Sequence, residues 1–202
     1  MKYLKIIQVL SISMSMEYIH EIKNNLSPDL CAHIIERFEK DDRKGYGKWY
    51  SPEITKSTDL RISLLDDWKD IDDILCLKMR ECIQNYTDYI QNTVLDGIDI
   101  NVNETTFYNM RDTGYQIQRV QKGEYFRWHQ DGGNLRHINC IWYLNDMNEN
   151  DGGRTMFSCG KNIIPETGKM VIFPTSWPYY HCGEEVKYGC KYIITSFILR
   201  NE

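Results

Sequence analysis

The chain has 202 residues, a formal net charge of −5 at pH 7 and a pI near 5.6. Its 42% hydrophobic and 26% charged residues are ordinary globular values, which exclude a disordered or fibrous chain, and its length suits one domain. The acidic balance gives no general attraction for phosphates, so no nucleic-acid partner is expected.

The first fifteen residues precede the folded pattern, which we expect to begin near Met16. The stretch MKYLKIIQVLSISMSM is superficially similar to a signal peptide, but Gln8, three serines and the lack of an A-x-A site argue against export. No run reaches the roughly 20 apolar residues of a membrane helix. We therefore predict a flexible extension over residues 1–15, a single domain over residues 16–202, and no membrane partner.

Seven cysteines occur, at positions 31, 76, 82, 140, 159, 182 and 190. An odd number without a CxxC pair indicates neither a disulfide framework nor a zinc finger. A reducing compartment, the cytoplasm, is the predicted location.

The first predicted helix begins at Ser27-Pro28-Asp29, where serine is a favourable N-cap, proline suits the first helical position and aspartate suits the first turn. The apolar residues Leu30, Ile34 and Phe38 then recur at every fourth position, which predicts an amphipathic helix ending near Lys40. The following glycine-containing, charged stretch, DDRKGYGKWYSPEITKSTDLRIS, is predicted to be a loop.

A second, longer helix is predicted from Asp66 to about Thr93. Apolar residues there alternate between spacings of three and four, which indicates one buried face. They are Trp68, Ile71, Leu75, Met79, Cys82, Tyr86 and Tyr89.

After Gly97 the pattern changes to short runs rich in β-branched and aromatic residues, separated by turn signals. The predicted strands are Tyr115–Val120, Tyr125–Gln130, His137–Leu144, Thr155–Ser158, Lys169–Phe173 and Lys191–Leu199. This order predicts an α+β fold, with helical support over about residues 16–96 and a double-sheet jelly roll over about residues 97–202.

The stretch YFRWHQDGG places His129 and Asp131 two residues apart. Alternate residues of a strand share a face, so both side chains could enter one cavity while Gln130 points away. Such a triplet also occurs by chance. A metal site therefore needs a further ligand from another part of the chain.

His181 is the candidate for that ligand. His20 and His33 lie near the first helix, and His137 is expected to be an ordinary strand position. His181 lies between two predicted strands, from which a histidine on the opposite sheet could reach the H-x-D pair. Two imidazoles and one carboxylate leave three positions open, as in non-haem Fe(II) oxygenases.

Lys191 begins a strand in which Ile193, Thr195 and Phe197 share its face. A lysine directed into a barrel is costly unless it meets an anion, whereas an edge lysine would point to solvent. An anionic co-substrate would account for burial, with the hydroxyl groups of Tyr143 and Thr195 as neutral donors.

Together, these motifs resemble the Fe(II)/2-oxoglutarate-dependent dioxygenases, particularly the prolyl 4-hydroxylase branch. IHEIKNNLSPDLCAHII is similar to that branch's opening strand and helix, and STDLRIS is similar to its segment with Arg-x-Ser. The stretches QIQRVQKGEYFRWHQD, RHINCIWYLND, DGGRTMFS and TGKMVIFPTSWPYYHCGEEVKYGCKYIITSFIL follow in the family's order.

The resemblance implies a double-stranded β-helix that holds Fe(II) through His129, Asp131 and His181. The co-substrate 2-oxoglutarate would chelate the iron and pair its distal carboxylate with Lys191, with hydrogen bonds from Tyr143 and Thr195. The other implied co-substrate is O2, with ascorbate as an accessory cofactor. The implied reaction is hydroxylation of a prolyl residue in a protein or peptide, with release of succinate and CO2.

The subfamily assignment is divided. Lysine at position 191 is similar to the collagen-type prolyl hydroxylases, whereas RHINCIWYLN is closer to the oxygen-sensing ones. Phe197 stands where the oxygen-sensing relatives have a tryptophan, so their substrate contacts do not transfer directly.

The resemblance also suggests substrate contacts. In the family, the loop between the helical region and the barrel closes on a peptide, which makes Tyr46, Trp49, Tyr50 and Arg61 substrate-binding candidates. Incidental aromatics in a solvated loop are the alternative. Arg136 begins the strand that carries Tyr143 and is a candidate at the mouth of the site, with an ordinary exposed arginine as the alternative.

Four rival functions remain open. The same site suits an oxygenase acting on a free amino acid or small molecule, and a cupin-like metal-binding module without oxygenase activity would share the barrel. A zinc hydrolase would need a glutamate near the metal, but HExxH is absent and Glu184 and Glu185 read as exposed turn residues. The nucleic-acid demethylases of the same superfamily have an arginine followed six residues later by a second arginine. In this chain the corresponding residues are Lys191 and Phe197.

Overall fold

The computed structural model describes residues 17–46, 53–102, 110–133 and 135–200. The predicted extension over residues 1–15 lies outside these ranges. Within them, no helix is both long enough and apolar enough to cross a membrane.

The first helix, α1 (Pro28–Lys40), begins where the sequence predicts. The Ser27 hydroxyl caps it by accepting a hydrogen bond of 3.3 Å from the Leu30 amide, which satisfies one of the amides that lack an intrahelical partner. Cys31, Ile34 and Phe38 are buried on the face that packs against the sheet.

The second helix, α2 (Lys69–Tyr89), is shorter than predicted because both of its ends leave the α-helical geometry. Two 3-10 turns, Ile62–Leu64 and Asp66–Trp68, precede it, and a π-helical turn, Ile90–Val94, follows it. The predicted apolar stripe is buried at Trp68, Ile71, Leu75, Met79, Cys82 and Tyr86.

The main sheet has eight strands, and all of its pairings are antiparallel. They are β1 (His20–Ile22), β2 (Gly45–Tyr46), β3 (Thr58–Arg61), β4 (Arg111–Asp112), β5 (Gln116–Gln121), β7 (Arg136–Tyr143), β10 (Met170–Pro174) and β12 (Cys190–Leu199). Their order is β1-β10-β7-β12-β5-β3-β2, with β4 also beside β12.

The second sheet has four strands in the order β6-β11-β8-β9, and it packs against one face of the main sheet. They are β6 (Phe126–His129), β8 (Thr155–Phe157), β9 (Asn162–Ile163) and β11 (His181–Gly183). A 3-10 turn, Glu149–Asp151, precedes β8. The two antiparallel sheets confirm the predicted jelly roll.

The predicted loop over residues 41–63 was wrong in part. Gly45–Tyr46 and Thr58–Arg61 are strands, and the latter pairs with β5 so that Leu60 lies opposite Ile117. Each is too short to show a period of two above the surrounding charged residues. Because β1, β2 and β3 join the main sheet, the predicted division at residue 97 does not separate helical support from barrel.

The main sheet has an apolar core on each face. Cys140 and Trp142 of β7 pack toward α1 and α2, whereas Ile141 and Tyr143 of the same strand pack with Phe157 of the second sheet. This alternation follows from the period of two along a strand. The space between the sheets therefore receives every second side chain of the central strands.

Candidate metal and co-substrate site

One cavity lies between the two sheets and receives most of the predicted site residues. His129, Asp131, Arg136, His181, Lys191 and Thr195 line it. Tyr143, Arg61 and Tyr46 are not among its lining residues, and Trp49 and Tyr50 lie outside the part of the chain that the structure describes.

Strand pairing brings the two histidines together. His129 ends β6 and lies directly opposite His181, the first residue of β11. Asp131 lies just beyond β6, with its Oδ1 3.4 Å from Nε2 of His129 and its Oδ2 3.2 Å from Nε2 of His181. The potential ligand atoms of the three residues all lie within 4.8 Å of one another.

The other ring nitrogen of each histidine meets a backbone carbonyl. Nδ1 of His129 lies 2.7 Å from the oxygen of Arg127, and Nδ1 of His181 lies 3.1 Å from the oxygen of Tyr179. A carbonyl only accepts, so Nδ1 of each ring carries a proton and each Nε2 faces the Asp131 carboxylate, to which it can donate when protonated and beside which it can bind a metal when it is not. This donor set fits a divalent metal ion such as Fe(II).

Asp131 is nearly fully buried and remains ionised. Burial on its own would raise its pKa, but hydrogen bonds with His129 and His181 outweigh burial and hold the pKa well below its usual range. Asn139 also donates from Nδ2 to Oδ2 of Asp131 over 2.6 Å. A carboxylate fixed in this way is ready to bind a cation without first losing a proton.

Asn139 is a site residue that the sequence-based prediction missed. Its side chain is only 3% exposed and lines the cavity, and its Oδ1 has no hydrogen-bond partner among the described residues. Asn139 lies on β7 between Ile138 and Cys140, which belong to the core beside the helices. Strand alternation could therefore have predicted that the Asn139 side chain faces the opposite sheet.

Lys191 points inward as predicted. It is 3% exposed, and its Nζ donates to the carbonyl oxygen of Gly153 over 2.8 Å. No described carboxylate forms an ion pair with it, since Glu184 pairs with Arg154, and burial lowers the pKa of Lys191 to about 8. Lys191 is therefore a buried basic group that no carboxylate of the described residues neutralises.

Tyr143 does not line the cavity itself but is connected to it through the hydroxyl group of Thr155. It is fully buried, and its Oη donates to Oγ1 of Thr155 over 2.6 Å. Thr155 lines the cavity and keeps its own hydroxyl hydrogen for a further acceptor. Thr155, in the stretch DGGRTMFS, was another residue that the sequence-based prediction did not select.

The shared face of β12 is confirmed. Lys191, Ile193, Thr195 and Phe197 all line the cavity. At the Phe197 end, the guanidinium carbon of Arg136 lies 4.0 Å from the centre of the phenyl ring, a cation–π contact. The arginine is thus held against the cavity wall, and its role as a substrate contact stays a prediction.

The other substrate candidates point elsewhere. The Tyr46 side chain is 75% exposed at the outer edge of the main sheet. Arg61 is also exposed, and its Nη2 donates to the carbonyl oxygen of Thr113 over 3.2 Å. A role for either residue in substrate binding stays a prediction.

A polar group on the β3–β5 wall of the cavity was not predicted. The Asp59 carboxylate accepts from Oγ of Ser57 over 2.7 Å, from Nε2 of Gln116 over 2.9 Å and from Nε2 of Gln118 over 3.4 Å. All four residues line the cavity. The stretch QIQ could have indicated this group, because alternate residues of a strand share a face and both glutamine side chains therefore lie on one face of β5.

Glu184, the residue considered for a zinc hydrolase, is already engaged. Arg154 donates to it from Nε over 2.7 Å and from Nη2 over 2.9 Å. Neither Glu184 nor Glu185 lines the cavity. The described residues therefore provide no glutamate base beside the three ligand candidates.

Residues 115–199 match the model of the 2OG-Fe(II) oxygenase superfamily. The match contains all three ligand candidates and Lys191. No curated protein sequence matches the chain.

Solved structures of prolyl hydroxylases share the fold at low identity. A viral collagen prolyl hydroxylase from Paramecium Bursaria Chlorella virus-1, solved with 2OG, is 20% identical, with a TM-score of 0.60 over 92% of this chain and 97% of its own. A Pseudomonas putida prolyl-4-hydroxylase is 16% identical, with a TM-score of 0.61 over 92% and 94%.

A Trichoplax adhaerens prolyl hydroxylase, solved with a hypoxia inducible factor oxygen degradation domain peptide fragment, is 14% identical. Its TM-score is 0.68 over 91% of this chain and 84% of its own. These likenesses establish the jelly-roll fold that frames the cavity.

Proposed function

We propose that this chain, whose residues 115–199 match the model of the 2OG-Fe(II) oxygenase superfamily, hydroxylates a prolyl residue of a protein or peptide substrate. The reaction consumes O2 and 2-oxoglutarate and releases succinate and CO2. With Fe(II) and 2-oxoglutarate bound, such a site supplies an oxidant strong enough to attack an unactivated C–H bond.

The observation that carries this proposal is the convergence of His129, Asp131 and His181 beside the cavity that also holds Lys191. The three side chains would hold a metal ion from one side and would leave positions for a chelating co-substrate and O2. A buried lysine without a protein anion supplies the charge that a dicarboxylate requires.

The protein's own part is binding, orientation and exclusion of water. Backbone carbonyls orient the two imidazoles, and Asn139 orients the Asp131 carboxylate. Lys191 would hold the distal carboxylate of 2-oxoglutarate, with Thr195 as a further predicted donor and with Tyr143 acting through Thr155. The apolar walls around Ile193 keep water from the reacting atoms.

A prolyl substrate is supported by the structural neighbours, since the three described above are named as prolyl hydroxylases and one was solved with a peptide. Arg136, stacked on Phe197, supports a peptide contact at one side of the cavity. The two residues would bind a backbone carbonyl and an apolar side chain respectively.

A reducing compartment, the cytoplasm, is the proposed location. All seven cysteines are free thiols. Burial raises the pKa of Cys31 and that of Cys82 to about 11, so both thiols stay protonated near neutral pH. Protonated, buried thiols are inert, which suits structural cysteines of a reducing environment.

The test is an anaerobic titration of the purified protein with Fe(II) and then 2-oxoglutarate. A chelated keto acid should produce a weak visible charge-transfer band, and Asp131→Ala should lose both the band and turnover while keeping its circular dichroism spectrum. The exposed Asp146, which accepts from Thr167, provides the matched control Asp146→Ala.

Proline-containing peptides then test the substrate. Mass spectrometry should find a gain of one oxygen on proline, in step with succinate release. Metal binding without the band would contradict the oxygenase and favour a cupin-like module. A normal band with no hydroxylated peptide across a broad panel would move the substrate to a free amino acid or other small molecule.

A further inference from the structure

The Asp59 carboxylate lies in the same cavity as the candidate metal site, on the wall formed by β3 and β5. Its register position opposite Gln118 places both side chains on the cavity face, while Leu60 faces the helical core. The proposed reaction gives this carboxylate no role, because the metal and co-substrate are held by other residues.

The group around Asp59 presents acceptors to the cavity. Gln116 and Gln118 both donate from Nε2 to the carboxylate, which leaves their carbonyl oxygens as two additional acceptors. Ser57 also directs its hydroxyl hydrogen to Asp59. An ionised carboxylate with two amide oxygens suits a ligand that carries several N–H donors and a positive charge.

The charge of Asp59 is not balanced by the protein. Among the described residues no lysine or arginine forms an ion pair with it: Arg119, on the neighbouring strand β5, pairs with Glu39, and Arg61 donates to the carbonyl oxygen of Thr113. Burial raises the pKa of Asp59 to about 6, with Glu124 adding to this effect. A cation placed here would therefore relieve an electrostatic cost that the folded protein carries.

We propose that Asp59, supported by Gln116 and Gln118, binds a cationic side chain of the substrate, an ammonium or guanidinium group. This inference rests on the proposed function, and it narrows the substrate from a prolyl peptide to one with a lysine or arginine near the modified residue. Asp59 is then a specificity-determining residue that does not touch the reacting atoms.

The experiment compares short acetylated peptide amides that differ at one position. One series places lysine, arginine, norleucine or glutamate in turn at each of the two positions before and after a central proline. A second series replaces that proline by alanine. Dissociation constants are measured anaerobically with the Fe(II)- and 2-oxoglutarate-loaded protein, and hydroxylation is then measured separately in air.

We expect the best lysine or arginine peptide to bind about tenfold or more tightly than its norleucine counterpart, since hydrogen bonds to a charged group are among the strong ones. In Asp59→Asn this preference should fall to within about twofold, with the dissociation constant for 2-oxoglutarate unchanged. The control Asp146→Asn removes a carboxylate outside the cavity and should keep the full preference.

Equal binding of lysine and norleucine peptides by the wild type at every position would overturn the inference without any variant. A cation preference that survives in a folded Asp59→Asn protein would also overturn it, because the charge would then be recognised elsewhere. Failure of the proposed function is distinguishable: cationic alanine peptides would still bind through Asp59, but no proline would be hydroxylated.

Discussion

Asn139 has two features that make it informative at the scale of single residues. It donates to Asp131 over 2.6 Å, and its buried carbonyl oxygen has no partner among the described residues. A residue that orients a ligand changes metal affinity without contacting the metal.

We predict that Asn139→Ala weakens Fe(II) binding by about 10-fold or more while the fold is kept. The measurement is a competitive Fe(II) titration, and Asn162→Ala, an exposed residue of β9, is the control. An unchanged Fe(II) dissociation constant would mean that Asp131 is oriented without the amide.

We predict that Lys191 makes the binding of 2-oxoglutarate depend on pH. Burial lowers its pKa to about 8, so below pH 8 the free protein already carries the positive charge that an anion needs. Above pH 8 the lysine is mostly neutral, and binding must take up a proton. The dissociation constant for 2-oxoglutarate should therefore rise with pH above about 8, by at most tenfold per unit.

Isothermal titration between pH 6.5 and 9.5, in buffers of different ionisation enthalpy, measures this dependence and the proton uptake directly. Lys191→Met, which keeps the apolar stem, should weaken 2-oxoglutarate binding at least about 30-fold and remove the rise above pH 8. An identical pH profile in this variant would assign the dependence to another group.

At the scale of elements, the turn before β8 positions the lysine. The carbonyl oxygen of Gly153 accepts from Lys191, and neighbouring Gly152 forms a bridge with Val186. Gly152 has a φ of +74°, and a Cβ added there would lie 2.1 Å from the Glu185 carbonyl oxygen. Only glycine fits this close approach.

We predict that Gly152→Ala costs at least about 2 kcal/mol more than Gly123→Ala, which has a similar positive φ but no atom within 4 Å of the added Cβ. Urea unfolding of both variants gives this difference. Both substitutions strain a backbone of similar positive φ, so the difference reports the steric clash at Gly152. Gly152→Ala should also weaken 2-oxoglutarate binding. Equal stabilities would show that the turn shifts without cost.

At the scale of the whole molecule, Asn25 joins the helices to the sheet. Its Oδ1 accepts from Nε1 of Trp142 over 2.7 Å, and its Nδ2 donates to Sγ of Cys82 over 3.0 Å. The backbone N–H of Asn25 donates to the carbonyl oxygen of Gly168 over 2.8 Å. These contacts connect β7, α2 and the turn before β10. Trp142 is fully buried, so its N–H has no access to water.

We predict that Asn25→Ala lowers the free energy of unfolding by about 1–3 kcal/mol, because the indole N–H of Trp142 is left buried without an acceptor. A melting temperature lower by roughly 2–4 °C per kcal/mol should follow for a chain of this size. Thermal unfolding compared with the exposed-residue variant Asn162→Ala measures the effect. A change below 0.5 kcal/mol would show that water replaces the amide.

Several features were determined by the sequence alone because they are encoded locally. The N-cap at Ser27 and the apolar stripe of α2 depend on spacings within one helix, and the central strands are short runs rich in β-branched and aromatic residues between turn signals. The H-x-D pair, His181 and Lys191 could be selected because imidazole, carboxylate and ammonium groups can bind a metal ion or an anion. A resemblance to the family linked them into one prediction.

Only the tertiary structure decided the contacts between distant segments. The pairing of β3 with β5, over 50 residues apart, creates the Asp59 group, which no local pattern indicates. Hydrogen bonds likewise link Asn139 to Asp131 and Tyr143 to Thr155, and direct Arg61 to Thr113. Such contacts depend on strand order and register, which non-local packing sets and which the spacing of residues along one chain does not contain.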